Sequence, residues 1–109
     1  MSYNVNLPFL PERTQKPRKT GLTMVMDKGL SLREAEDFVD NCADLVDFVK
    51  LGFGTSVISK NLKEKIKLFQ NANMKVYLGG TLFEAFVIRN KFDDYVKFMD
   101  SLGDRKSVV

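Results

Sequence analysis

The sequence predicts a parallel α/β fold, and three observations carry that prediction. Short apolar runs begin near residues 22, 45 and 74, a spacing of about one βα unit. Each run ends at glycine, and each is followed by a stretch of helical periodicity.

The first run, residues 22–26 (LTMVM), lies between Gly21 and the Asp27-Lys28-Gly29 turn and reads as a buried strand. Ser31 and Glu34 then form an S-x-x-E capping box, which satisfies two amide donors at a helix start. Leu32, Ala35, Phe38, Val39 and Cys42 follow on one helical face. The second run, residues 45–51 (LVDFVKL), ends at Gly52-Phe53-Gly54. In the next helix Leu62, Ile66 and Phe69 make the apolar stripe, with Lys60, Lys63, Glu64, Lys65 and Lys67 around it and Asn71 and Asn73 as helix-ending residues. The third run, residues 74–78 (MKVYL), ends at Gly79-Gly80. A third helical stretch opens at Thr81 and continues after Asn90 with Phe92, Tyr95, Val96, Met99 and Leu102, with Gly103 as its stop. The order β-α-β-α-β-α implies parallel strands joined by right-handed crossovers. Spacing alone does not separate a barrel from a doubly wound sheet, and three strands leave two sheet edges unpaired.

The chain has 109 residues, one small domain, with 44% hydrophobic and 28% charged residues. Its net charge of +3 resides wholly in residues 1–20, a Pro-containing arm carrying Arg13, Lys16, Arg18 and Lys19 against Glu12. The arm reads as solvated or packed on the fold, since a nucleic-acid surface would carry a basic stripe interleaved with aromatics. No apolar run approaches the ~20 residues of a membrane helix, and the N-terminus has no signal-peptide pattern. The single cysteine, Cys42, reads as a core residue, and a reducing cytoplasm is the expected compartment. The absence of histidine removes His-dependent nucleophiles and His-ligated zinc. Any chemistry therefore runs on Lys, Asp, Glu, hydroxyls, backbone amides or a hard cation held by oxygens. The last six residues, 104–109 (DRKSVV), break the rhythm where a strand is expected. One set of codons for them matches a common sequencing-adapter sequence, so a non-native tail after Gly103 is the expectation.

Parallel α/β folds bind ligands at the carboxyl ends of their strands. Those ends carry Asp27, Lys28 and Gly29; then Lys50, Gly52, Gly54, Thr55 and Ser56; then Gly79, Gly80 and Thr81, with Glu84 one helical turn on. Lysines offset anionic charge, glycines let amides approach an oxyanion, and carboxylates can hold magnesium or orient the lysines. Such a rim suits a small, multiply charged anion. Plainer roles exist for each group: an exposed turn at Asp27-Lys28, a structural ion pair of Lys50 with Asp27 or Asp47, a helix cap at Thr55 and Ser56, and a first-turn carboxylate at Glu84.

Segments 21–29 (GLTMVMDKG), 47–56 (DFVKLGFGTS) and 75–84 (KVYLGGTLFE), with LPERTQKPR in the arm, resemble the N-terminal part of the phosphosulfolactate synthase family. The resemblance covers about residues 7–103, in the same order and spacing. It implies a TIM (β/α)8 barrel of about 250 residues, of which this chain is the first three βα units, incomplete. It implies a carbon–sulfur lyase that adds sulfite to phosphoenolpyruvate with Mg2+, giving (2R)-phospho-3-sulfolactate for coenzyme M or sulfolactate biosynthesis. By the same resemblance Lys50, Asp27 and Lys28 are the candidate catalytic groups, with Asp27 also a candidate metal support. Gly52, Gly54, Thr55, Ser56, Gly79, Gly80 and Thr81 then bind substrate, and Glu84 serves the metal. The partners implied are phosphoenolpyruvate and sulfite, with no nucleic acid and no membrane, and a homo-oligomer of the full-length protein left open. In that family the general acid and much of the metal site lie beyond the third βα unit, so the fragment alone is expected to be inactive. The alternatives are a noncatalytic α/β module, or a fold-retaining homologue, binding a small phosphorylated anion.

Overall fold

The three apolar runs pair, in chain order, into one parallel sheet. The computed structural model of the chain describes residues 4–102. Its elements are β1 (Met24–Asp27), α1 (Leu32–Cys42), a 3-10 turn (Ala43–Leu45), β2 (Phe48–Leu51), α2 (Thr55–Ile58), α3 (Leu62–Asn71), β3 (Lys75–Tyr77), α4 (Gly80–Val87) and α5 (Phe92–Ser101). The sheet order is β1-β2-β3, with Met26 beside Lys50 and Lys50 beside Tyr77. Gly103, residues 1–3 and the hexapeptide 104–109 lie outside the described residues.

Strand alternation assigns the two faces of the sheet. Val49, Leu51 and Val76 are fully buried and join Ala35, Ile66 and Phe69 in one core beneath the helices, with Phe38 edge-on to Phe69. Met24 and Met26, on the opposite face, remain 52% and 46% exposed. That open face also carries Phe48, Lys50, Lys75 and Tyr77, and the Tyr77 hydroxyl donates to the Met24 sulfur. Cys42 is half-buried against the core, as expected.

β1 and β2 start later than their apolar runs for an identifiable reason. The Thr23 N–H is spent on the Asp47 carboxylate and the Leu45 carbonyl on the Arg13 guanidinium, so neither group enters the ladder. The capping box forms as expected, with Ser31 Oγ accepting from Glu34 N–H and Glu34 accepting from Ser31 N–H. The Ser31 N–H and hydroxyl hold the Glu34 carboxyl below its usual pKa. Asn71 ends α3 and Asn73 adopts a left-handed conformation, φ 60°, matching their assigned roles. Two expectations change. The helix preceding β3 is in two pieces, α2 and α3, and Thr55 and Ser56 lie inside α2 rather than capping a longer helix. The third helical stretch is likewise split, because Asn90 turns left-handed, φ 56°, between α4 and α5.

The arm packs against the amino-terminal end of the sheet. Arg13 bonds Thr23 Oγ1 and Leu45 O, Lys16 bonds Ala72 O and Asn73 O, and Arg18 bonds Asp44 O and the buried Asp47 carboxylate at 2.9 Å. These cations thus satisfy carbonyls where α3 and the 3-10 turn end. Burial pushes the Asp47 carboxyl up, but the Thr23 N–H, the Arg18 guanidinium and nearby Lys16 outweigh it and hold the pKa below the usual carboxylate value. A depressed folded pKa contributes stability above the unfolded value of about 3.9, lost as pH falls through the lower folded value. Asp47→Asn is therefore expected to make the acid limb of a stability–pH curve shallower below about pH 4, read by urea midpoints at successive pH values. An unchanged limb would show that the Arg18–Asp47 pair contributes nothing there. Among the described residues no helix is long and apolar enough to cross a membrane.

Candidate functional site

The carboxyl ends of β1, β2 and β3 bring together the residues singled out in the sequence, but not in equivalent settings. Lys28 is exposed on the β1–α1 turn. Lys50 lies one residue before the end of β2, half-buried, and has no hydrogen-bond or ion-pair partner among the described residues. The partners that sequence reasoning offered it are taken: Asp47 by Arg18, and Asp27 by Lys65.

Gly79 explains where the Lys50 side chain runs. A Cβ at Gly79 would sit 2.7 Å from Lys50 Cε and 3.7 Å from its Nζ, so the lysine tail crosses the space that the glycine leaves. Gly79 also has φ 85° and ψ 159°, a region open essentially to glycine alone. Gly79→Ala is thus expected to cost about 1–3 kcal/mol, read from the urea midpoint, and to displace Lys50. Wild-type stability in that variant would remove the close approach. The same glycine caps α4 with no side-chain hydrogen bond. Lys50 Nζ therefore lies beside the uncapped start of α4, where Gly80 and Thr81 present backbone amides and the helix dipole favours an anion. Both residues are exposed, as is Glu84 farther along α4.

The β2–α2 turn is more tightly built. Gly52 N–H donates to Asp27 O at 2.7 Å, and a Cβ there would approach Asp27 O at 3.2 Å and Lys28 Cα at 3.5 Å. Gly54 turns with φ 77°, while Thr55 and Ser56 are buried at the start of α2.

Asp27 departs from a rim role. It is 2% exposed; Oδ1 accepts from the N–H groups of Gly29 and Leu30, at 2.8 and 2.7 Å, and Oδ2 faces Lys65 Nζ at 2.7 Å. Lys65, fully buried, also donates to Leu30 O at 2.8 Å. Sequence reasoning placed Lys65 with the charges around the α3 stripe. Its spacing held the signal, three residues after Leu62 and four before Phe69, on the stripe itself. Asp27 carried the matching one: it shares the helix-facing side of β1 with Val25, two residues earlier.

These residues do not assemble a magnesium site by themselves. Among the described residues no group of three His, Cys, Asp or Glu could hold a metal ion, and the Asp27 oxygens are already engaged. Two clefts, of about 530 and 570 Å3, lie at the opposite end of the strands, against the arm. Neither includes a rim residue, so their size does not bear on the rim.

A statistical model of the (2R)-phospho-3-sulfolactate synthase (ComA) family matches residues 11–105. The chain belongs to that family. It is 47% identical over 97 residues to the phosphosulfolactate synthase of Methanocaldococcus jannaschii, 40% over 95 residues to that of Methanothermobacter thermautotrophicus, and 38% over 94 residues to that of Bacillus subtilis. These matches cover 87%, 85% and 86% of this chain and 37% of each relative, so the chain spans little more than a third of the phosphosulfolactate synthases it resembles.

Proposed function

We propose that this chain is the first three βα units of a (β/α)8-barrel phosphosulfolactate synthase, whose rim it helps to build. The carrying observation is Lys50: a half-buried cation without a partner among the described residues, held over Gly79 beside the uncapped start of α4. Burying a charge without a partner is costly, and a bound anion removes that cost. Lys28 adds a second, exposed cation, whereas the Asp27 charge is offset by Lys65 and does not oppose an anion. The sequential strand order, with helices covering the Val49–Val76 face and the other face open, supports the barrel reading: a barrel interior faces strands in this way.

The substrates that fit are phosphoenolpyruvate and sulfite. Sulfite is already nucleophilic, so a chain without histidine need not activate it. Its sulfur lone pair forms a bond to the methylene carbon, the carbon–carbon double bond moves toward the substrate carboxylate, and a proton delivered to the phosphate-bearing carbon completes phosphosulfolactate. Lys50 and the α4 amides stabilise the developing carboxylate charge. No three described carboxylates converge to cage a magnesium ion, so no step assigned to these residues runs through it.

Three βα turns supply part of a rim, and turnover is expected once further βα units complete it. Residues 11–102 exchanged for the matching stretch of the Bacillus subtilis relative test this reading. The chimera is expected to consume phosphoenolpyruvate only with sulfite and to form phosphosulfolactate, seen by phosphorus NMR. A folded chimera that leaves both substrates unchanged would refute it.

A further inference from the structure

The buried Asp27–Lys65 pair is used neither by the anion site nor by the arm, and its contacts have a direction. Besides each other, among the described residues its two charges hydrogen-bond only with the β1–α1 turn. Asp27 Oδ1 takes the N–H groups of Gly29 and Leu30, and Lys65 Nζ takes Leu30 O, so both backbone polar groups of Leu30 are held by the pair. Among the described residues Asp27 Oδ2 has Lys65 alone, with no hydrogen-bond donor besides. The backbone of Asp27 and Lys28 is in turn packed on Gly52, whose N–H donates to Asp27 O. The turns after β1 and β2 therefore form one block, and Lys65 reaches it from the middle of α3.

We propose that Lys65 is a positioning residue for the rim: through Asp27 it fixes the backbone of residues 28–30 and so the point at which Lys28 meets an anionic ligand. The ligand half of this inference rests on the function proposed above, and the positioning half rests on the geometry of the pair. A pair that served only the core could be exchanged for apolar side chains of similar volume without consequence, since such replacements are often neutral or stabilising. Here the same exchange removes three hydrogen bonds to the turn that carries Lys28.

The test uses the 109-residue chain, with inorganic phosphate as the probe and amide exchange as the structural readout. In the wild type, phosphate is expected to shift the amide resonances of Lys28, Gly29 and Leu30, and the last two exchange slowly. In Asp27→Leu/Lys65→Met, Val49 and Val76 are expected to keep their protection. Gly29 and Leu30 exchange at least about 10-fold faster there, and phosphate binds at least about 10-fold more weakly. Lys28→Met separates the two effects, weakening phosphate binding while leaving exchange at Gly29 and Leu30 unchanged. If the double replacement costs Val49 and Val76 their protection, Asp27→Asn/Lys65→Gln is read in the same way. Unchanged exchange at Gly29 and Leu30 in the double variant would overturn the positioning role and leave the anion reading standing. A wild-type chain whose rim amides ignore phosphate would overturn the anion reading, and with it this proposal.

Discussion

Lys65→Met alone is expected to destabilise the chain by about 3–5 kcal/mol. The magnitude follows from what is left behind. Asp27 is 2% exposed, and without Lys65 its carboxylate keeps two N–H donors but no counter-charge. An uncompensated buried charge costs far more than a lost surface pair. Lys67→Met, two residues along α3 and exposed, is the control and is expected within about 0.5 kcal/mol of wild type. Urea unfolding followed by far-ultraviolet circular dichroism reads both. Equal midpoints for the two variants would mean that Asp27 and Lys65 do not meet inside the fold.

Lys50→Met in the Bacillus subtilis chimera is expected to lower kcat/KM by about 10²- to 10³-fold, the usual loss when one preorganised donor to a developing anion is removed. Stability should be unchanged or slightly raised in the absence of ligand, because methionine keeps the apolar tail and removes a half-buried charge that has no hydrogen bond or ion pair among the described residues. Lys50→Arg should recover part of the loss, since it restores the charge but brings a broader head group over Gly79. Steady-state rates with phosphoenolpyruvate and sulfite varied in turn make the measurement. A variant with wild-type kcat/KM would remove Lys50 from the site and leave the α4 amides as its anion donors.

The amino-acid sequence determined the order of elements, and the reason is local. Short apolar runs bounded by glycine turns make strands, and the Ser31–Glu34 box starts α1 from its own side chains. The strand-end glycines and lysines were legible for the same reason, because strand ends follow from strand positions. The partners of charged groups were not legible, since pairing depends on which helix crosses which strand. Asp27 and Lys65 stand far apart in the chain and meet only because α3 packs on the helix-facing side of the sheet, where both side chains are excluded from water. Lys50, one position from Val49, falls on the open face by strand alternation alone, but that it lies across Gly79 without a partner among the described residues was decided by the fold. The arm divides in the same way. Its cations account for the net charge in the sequence, whereas their placement on the carbonyls of Leu45, Ala72 and Asn73 needed the tertiary structure, because only there do those ends come within reach.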